Sequence, residues 1–268
     1  MENSITVLVE NLVYTKNLGA EHGLSLFIRH GGTSILFDAG QSNLLLANAQ
    51  ELDISLDNID HIIVSHGHYD HTGGLQTVVE KNPKASLRIS DLAFDQRTNA
   101  VNQNIGIPPG IPKEKASRIT TPEEIVPGVY CMPRAEILDE KDTHFTGFSV
   151  FRDGSWQIDT FEDEQSLVIV NADSISVISG CSHRGITNIV QTAMNYFQLP
   201  VDLILGGFHL SKEPNIRPTI EQLRALKPRR LGVCHCTGMN QYCSIKQSLS
   251  TPVEYMYTGR TISLNTEA

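Results

Sequence analysis

The chain has 268 residues, 40% of them hydrophobic, and its 21 Lys and Arg against 30 Asp and Glu give a formal net charge of −9. Such a length is ample for one large domain with a sizeable buried core. The acidic balance argues against an electrostatically driven nucleic-acid binder, because such proteins need a basic face to neutralise phosphates. The five cysteines, an odd number without a Cys-x-x-Cys pair, indicate a reduced, cytoplasmic protein.

We expect neither a signal peptide nor a membrane-spanning segment in this sequence. The first residues carry no basic segment followed by a long apolar run, so we expect no signal peptide. No apolar stretch approaches the roughly 18 to 20 residues that cross a bilayer, so we expect no membrane association. We therefore predict a single domain over residues 1–268, located in the cytoplasm.

Short runs of β-branched and apolar residues recur along the chain and predict strands. In chain order they lie at residues 5–9, 24–29, 34–37, 62–65, 167–170, 175–179, 203–205 and 231–234. The clearest helical stripe consists of Ile186, Ile189, Val190, Ala193, Met194 and Phe197. Weaker helices are predicted at residues 42–52, 74–81, 219–226 and 242–249. The alternation of strands with helices indicates an α/β fold.

The stretch from about residue 97 to residue 128 differs in composition from the rest of the chain. It carries five prolines among several Gly, Asn and Thr residues, and it has no sustained hydrophobic period. Long irregular segments are often lids or binding loops, although a plain surface insertion fits equally well. We predict an irregular excursion that orders over the functional site or at a subunit interface.

The most informative segment joins a predicted strand to a group of metal-binding residue types. Residues 66–71 read His-Gly-His-Tyr-Asp-His, which sets three imidazoles and one carboxylate within six residues. Zn²⁺, Mn²⁺ and Fe²⁺ take such nitrogen and oxygen donors, and four of them would be costly to hold together without a cation. We therefore predict that His66, His68, Asp70 and His71 bind a divalent metal, with zinc as the first choice.

Three further histidines, His183, His209 and His235, lie just past the ends of predicted strands. Sheets of α/β proteins collect ligands at strand ends, and the loops there carry function. Each of these residues alone would be interpreted as an ordinary core or surface histidine. Together with the motif at residues 66–71, they favour a shared metal site.

This pattern resembles the metallo-β-lactamase superfamily, whose His-x-His-x-Asp-His motif is matched by residues 66–71. Further stretches resemble one branch of it, at residues 20–25, 37–41, 163–167, 180–183, 206–210 and 235–238. That branch is labelled 7,8-dihydropterin-6-methyl-4-(β-ribofuranosyl)-aminobenzene-5′-phosphate synthase-like. The resemblance implies a four-layer αββα sandwich of two mixed sheets, with a dinuclear metal site at one sheet edge.

The resemblance also implies a set of metal ligands. One ion would be held by His66, His68 and His183, and a second by Asp70, His71 and His235. The chain departs from the superfamily where most dinuclear members have an aspartate that bridges both ions, because residues 206–209 read Gly-Gly-Phe-His. His209 could replace that aspartate as a ligand, or it could face the substrate as an acid–base group.

Hydrolysis is the reaction class that such a site favours. Two divalent ions about 3.5–4 Å apart hold a hydroxide between them and stabilise charge on the attacked and leaving oxygens. We expect a metal-bound hydroxide to attack a small anionic substrate, a phosphoester or a cyclic ester, with Asp70 as ligand and orienting group. Two alternatives stay open: a metal-dependent transferase or synthase in pterin-ribofuranosyl-aminobenzene phosphate chemistry, and a mononuclear iron oxygenase. A homodimer is compatible with the sequence.

Several other residues are weaker candidates for contacts to a ligand histidine or to the substrate. They are His22, Asp38, Arg134, Asp163, Glu164 and Arg184. Asp38 lies at a strand end and is expected to hydrogen-bond a ligand histidine. The arginines offer planar forks for a phosphate or carboxylate, and the two adjacent acids could orient ligands or cap a turn.

Three of the cysteines, Cys181, Cys234 and Cys236, flank the predicted ligand histidines. A thiolate coordinates Zn²⁺ at about 2.3 Å, so a ligand role is chemically open to them. Small buried neighbours that pack well are the simpler interpretation. The sequence therefore favours a packing role for these side chains.

Overall fold

The computed structural model describes residues 3–116, 118–213 and 215–264. The chain divides into two compact units. The first comprises Met1–Arg118, Ser149–Gln157 and Met256–Ala268, and the second comprises Ile119–Phe148 and Ile158–Tyr255. The expectation of one domain over residues 1–268 stays a prediction, and its residues 1, 2, 117, 214 and 265–268 lie outside the described part.

In each unit a run of strands comes first, and strands separated by helices follow it. The strands are β1 (Ser4–Val9), β2 (Ser25–His30), β3 (Thr33–Phe37), β4 (His61–Ile63), β5 (Ser86–Arg88), β6 (Gln96–Asn99), β7 (Glu123–Val126), β8 (Val129–Met132), β9 (Phe148–Arg152), β10 (Ser155–Ile158), β11 (Ser166–Val170), β12 (Ile175–Ile178), β13 (Val201–Gly207), β14 (Arg230–Cys234), β15 (Val253–Tyr255) and β16 (Thr261–Ser263). The α-helices are α1 (Leu44–Glu51), α2 (Tyr69–Thr72), α3 (Leu75–Lys81), α4 (Ile186–Phe197), α5 (Arg217–Leu226) and α6 (Met239–Ser248). Short 3₁₀ turns lie at Asp91–Phe94, Lys113–Lys115, Glu140–Asp142 and His235–Thr237.

The first unit is built on a six-stranded sheet in the order β16-β1-β2-β3-β4-β5. The sheet is mixed, because β16, β1, β2 and β3 pair antiparallel whereas β3, β4 and β5 pair parallel. Gly31 and Gly32 form the two-residue turn between β2 and β3, with φ of 58° and 86°. Glycine adopts such positive φ without the strain of a side chain. A smaller sheet has the order β10-β9-β6.

The apolar core of the first unit lies between this sheet and its helices. Leu8, Leu45, Ile62, Val78 and Leu87 belong to one buried cluster that joins β1, α1, β4, α3 and β5. Burial of each such side chain contributes about 1.5–3 kcal/mol relative to exposure. Because the core holds β4 and α3 in place, the segment between them begins and ends at fixed points. That segment carries residues 66–71.

The second unit is built on a seven-stranded sheet in the order β15-β14-β13-β12-β11-β8-β7. Strands β12 to β15 are parallel, whereas β7, β8, β11 and β12 pair antiparallel. Helix α4 packs on β12 and β13, and α5 packs beside α4. The predicted stripe on α4 faces the core, with Ile186, Ile189, Val190 and Ala193 buried. Parallel neighbours end at the same edge, so β12, β13 and β14 deliver their following loops side by side.

Each predicted strand and helix has a counterpart in the structure, and several short strands were missed. The missed elements include β5, β15 and β16, which have three residues each. Strands this short bury few side chains and therefore show no measurable period. Within residues 97–128 the structure places the end of β6, a 3₁₀ turn and β7. No helix in the described residues is both long and apolar enough to span a bilayer.

Candidate metal centre

In the first unit, the residues of the motif form one buried cluster at the carboxyl end of β4. His66 and His71 are 1% and 0% exposed, and His68 and Asp70 are each 5% exposed. The ring centre of His66 lies 4.5 Å from that of His68 and 4.3 Å from that of His71. An Asp70 carboxylate oxygen lies 3.8 Å from Nε2 of His71. The four side chains therefore form one buried group of nitrogen and oxygen donors.

The carboxylate of Asp38 orients this cluster through hydrogen bonds. The residue is fully buried, and its carboxylate accepts hydrogen bonds from the N–H and the hydroxyl of Ser65, both at 2.7 Å. Nδ1 of His71 lies 2.6 Å from the same carboxylate. A histidine that donates Nδ1–H to a carboxylate keeps Nε2 as an acceptor for a metal. The Asp38 contact thus selects the metal-binding tautomer of His71.

The charge state of the buried His66 imidazole suits a cation. Burial lowers the pKa of His66 well below its ordinary value, and the nearby rings of His71 and His68 lower it further. A neutral imidazole has a lone pair to donate, whereas a protonated one repels a metal. His22, whose side chain is half-exposed, places Nε2 3.1 Å from the Asp70 carboxylate. The donor set of this unit therefore fits a divalent metal.

Gly67 lies between two of the predicted ligands at a point of very close approach. A Cβ built on Gly67 would lie 2.1 Å from the carbonyl oxygen of Ala93, which belongs to the backbone and cannot rotate away. The loop that carries His66 and His68 is thus pressed against the 3₁₀ turn at Asp91–Phe94. Only a residue without a side chain fits there.

We predict that Gly67→Ala displaces the motif loop and lowers the free energy of unfolding by about 1–3 kcal/mol, the usual cost of overpacking. Urea unfolding and elemental analysis of bound metal measure the two effects. Gly106→Ala is the matched control, because its Cβ would lie 3.4 Å from the nearest atom. Equal stability and metal content in the two variants would contradict this prediction.

In the second unit, the strand-end histidines meet at the shared edge of β12, β13 and β14. The ring of His183 stacks on Phe161, with centroids 3.7 Å apart and planes inclined by 6°. The His209 ring lies 4.3 Å from the His183 ring. His209 and His235 have left-handed φ of 50° and 52°. Such conformations cost a non-glycine residue about 1–3 kcal/mol and cluster at functional sites.

Glu164 fixes the backbone beside His183. Its buried carboxylate accepts the N–H of His183 at 2.7 Å and the N–H of Arg184 at 2.9 Å. Burial raises the pKa of Glu164 to about 7, against the opposing effect of those two N–H donors and of Arg184. Asp163 is buried next to it at 1% exposure. Both acids are therefore buried inside this unit, where Glu164 holds the backbone of His183 and Arg184.

The two arginines proposed as anion contacts have partners within the unit. Arg184 donates to the carbonyl oxygens of Ala135 and Thr160, at 2.8 Å and 2.6 Å. Arg134, whose side chain is half-exposed, pairs with Glu162 at 3.0 Å. The guanidinium of Arg184 is therefore occupied by backbone carbonyl oxygens, whereas that of Arg134 is partly exposed to solvent.

His144 is a buried residue that sequence reasoning missed. It is 6% exposed, its N–H donates to the carbonyl oxygen of His183 at 2.7 Å, and its ring lies 5.4 Å from the His209 ring. Asp142, two residues earlier, accepts the N–H of Thr187 at 2.8 Å and so ties this loop to the start of α4. Because His144 follows no predicted strand, no local pattern singled it out.

The second unit also contains sulfur atoms that could bind a metal. The ligand atoms of Cys181, His209 and Cys236 lie within 4.8 Å of one another. Burial by itself would raise the pKa of Cys236. The hydrogen bond with the Cys181 side chain and the nearby rings of His235 and His209 outweigh it and lower that pKa well below the ordinary value. The strand-end pattern alone gave these cysteines no ligand role.

The profile of the metallo-β-lactamase superfamily matches residues 18–154, just over half of the chain. The chain belongs to the metallo-β-lactamase superfamily. One relative, 7,8-dihydropterin-6-methyl-4-(β-D-ribofuranosyl)-aminobenzene-5′-phosphate synthase of Methanocaldococcus jannaschii, is 29% identical over 93% of this chain and 92% of its own length. An uncharacterized protein of that organism is 31% identical over 91% of this chain and 94% of its own.

One solved structure supports the same assignment. A crystal structure described as a metal-dependent hydrolase of the β-lactamase superfamily has a TM-score of 0.86 and 29% identity, covering 98% of this chain and 100% of that one. The predicted resemblance and the α/β fold with mixed sheets are thereby confirmed. Metallo-β-lactamase membership implies metal binding, and the groups of His, Cys and Asp ligand atoms that lie within 4.8 Å of one another agree with it.

Proposed function

We propose that this metallo-β-lactamase superfamily member is a zinc-dependent hydrolase of a small anionic molecule, a phosphoester or a cyclic ester. The observation that carries the proposal is the buried motif cluster, in which Asp38 fixes the metal-binding tautomer of His71. Manganese and iron are the other metals that this donor set accepts. The ligands that we propose are His66, His68, Asp70, His71, His183 and His235.

The chain's own groups then have distinct tasks. A divalent cation at such a site lowers the pKa of water and polarises the attacked oxygen. Asp70 would contribute a ligand oxygen, and its carboxylate would accept a hydrogen bond from the attacking water and so orient that water. Asp38 holds His71 in place through its 2.6 Å contact. His209 acts either as a further ligand or as an acid–base group that faces the substrate.

An anionic substrate is supported by the name of one relative. The relative of 29% identity is named for a phosphate-bearing product, and it aligns over 93% of this chain. That name also favours a second candidate function, a metal-dependent synthase of the same phosphate chemistry. The solved structure of 29% identity is described as a metal-dependent hydrolase, which supports the first candidate.

Metal analysis followed by a substrate screen distinguishes these candidates. The protein is purified without added metal, its metal content is determined by elemental analysis, and it is assayed against phosphodiesters, lactones and the synthase's donor and acceptor. We expect bound zinc and hydrolysis that a chelator stops. Turnover of the donor–acceptor pair alone, or hydrolysis unaffected by metal removal, would overturn the hydrolase assignment.

We further propose a cytoplasmic protein whose partner is a small molecule, with neither nucleic acid nor membrane as a partner. A homodimer stays a hypothesis, which light scattering on the purified chain tests. That residues 97–128 order over the functional site or at a subunit interface also stays a prediction. In its favour, the carbonyl oxygen of Ile105 accepts the N–H of Tyr69, so part of this excursion touches the motif directly.

A further inference from the structure

Two sulfur atoms and an imidazole converge just past the ends of β12, β13 and β14. The ligand atoms of Cys181, Cys236 and His209 lie within 4.8 Å of one another. Cys181 is 3% exposed and Cys236 is 7% exposed. Two buried sulfurs beside an imidazole nitrogen form a donor set that suits a thiophilic metal.

The backbone around Cys236 is adapted to hold its sulfur. A Cβ on Gly207 would lie 2.6 Å from Sγ of Cys236 and 2.8 Å from the carbonyl oxygen of Gly180. Glycine at position 207 therefore leaves room for the sulfur at the end of β13. The N–H of His209 donates to the same sulfur at 3.3 Å. Such a donor stabilises negative charge on a ligand atom.

Three buried ring nitrogens near these sulfurs lack a hydrogen bond within the described residues. They are Nδ1 of His209 and both ring nitrogens of His144. The two rings lie 5.4 Å apart, and Nδ1 of His144 is 3.5 Å from a carboxylate oxygen of Glu213. A buried imidazole nitrogen without a partner is unfavourable, and a cation relieves this by accepting its lone pair.

From these contacts we propose that Cys181, Cys236 and His209 bind a thiophilic divalent cation, zinc first, with His144 placed to complete a four-ligand set. The inference deepens the proposed function and rests on it only for the premise that the chain takes a divalent metal. Two thiolates at about 2.3 Å from one zinc ion are at most about 4.6 Å apart, so small movements close the group around an ion.

Sulfur ligation has a consequence for metal choice. Thiolates favour Zn²⁺, Co²⁺ and Cd²⁺ over Mg²⁺ and Mn²⁺, which prefer oxygen ligands. Two thiolates also supply two negative charges, which neutralise a divalent ion beside otherwise neutral imidazoles. We therefore expect the second unit to discriminate against manganese even where the motif cluster of the first unit tolerates it.

Cobalt substitution tests this inference without relying on activity. The full chain is stripped of metal with a chelator and titrated with Co²⁺. We expect a strong near-ultraviolet absorption band from sulfur-to-cobalt charge transfer. Cys236→Ser removes most of this band and weakens binding of the ion by at least about 10-fold, and Cys181→Ser diminishes the band.

A matched control is Cys131→Ser, because Cys131 is a buried cysteine of the same unit whose sulfur lies 3.8 Å from Oε1 of Gln165. This variant should keep the full band. If Cys236→Ser does not fold, zinc-edge X-ray absorption of the wild-type protein still reports whether sulfur is bound. Cobalt binding with no charge-transfer band and no sulfur scattering would overturn the sulfur site but leave the hydrolase proposal standing. A charge-transfer band in a protein that hydrolyses none of the tested substrates would support the sulfur site and contradict the hydrolase proposal.

Discussion

Replacement of His68 or Asp70 by alanine is expected to abolish hydrolysis and to lower bound metal, while cooperative thermal unfolding is kept. Both residues lie in the segment after β4, outside the apolar cluster that joins β1, α1, β4, α3 and β5. Loss of a direct ligand should weaken metal binding by at least about 10-fold. Elemental analysis, a phosphodiester or lactone assay and circular dichroism measure the three quantities.

The control for this pair is His61→Ala, because His61 lies on β4 of the same unit and is not a predicted ligand. It should keep both metal and activity. Metal-free wild-type protein should also unfold cooperatively, since the prediction treats the metal as functional. Loss of cooperative unfolding on metal removal would show instead that the metal is structural, and the prediction would be wrong.

Asp38→Ala is expected to lower the free energy of unfolding by about 3–5 kcal/mol, because it leaves buried donors without their acceptor. These donors are the N–H and hydroxyl of Ser65 and Nδ1 of His71, at 2.6–2.7 Å from the carboxylate. The change also frees the His71 ring to rotate or switch tautomer. Metal affinity should fall about 10–100-fold, as for other outer contacts of metal ligands.

Two further variants separate the hydrogen bonds from backbone strain at Asp38. Asp38 has φ of 60°, and the exposed Asp53 has φ of 53°. Asp53→Ala therefore carries the same left-handed strain without buried hydrogen bonds, and it should cost only about 1–2 kcal/mol. Asp38→Asn tolerates this backbone but offers an N–H₂ to His71, so metal affinity should fall more than stability does. Equal losses in Asp38→Ala and Asp53→Ala, measured by urea unfolding and calorimetry, would refute the role given to the carboxylate.

Features carried by neighbouring residues could be predicted from the sequence. The apolar stripe on α4 could be predicted because residues three and four apart share one helix face. Its residues are indeed buried, among them Ile186, Ile189, Val190 and Ala193. The motif at residues 66–71 is equally local. A strand followed by a tight turn leaves little freedom in where His66, His68 and His71 lie relative to one another.

The tertiary structure alone decided which distant residues became neighbours. His144 reaches the His209 ring because Asp142 binds the start of α4, a contact between positions 45 residues apart in the chain. The surroundings of Cys236 likewise depend on Gly207 and His209, which the pairing of β13 with β14 brings beside it. No sequence period encodes contacts of this kind, since they depend on how whole elements pack.

The sequence therefore determined which chemical groups are available in this protein: several histidines at strand ends, few cysteines and an excess of acidic over basic residues. Tertiary structure determined how each group is used. It engaged Arg184 with the carbonyl oxygens of Ala135 and Thr160, and it set two sulfurs beside His209. The physical reason is that burial and hydrogen-bond partners belong to the folded surroundings of a side chain, whereas spacing along the chain records only its local geometry.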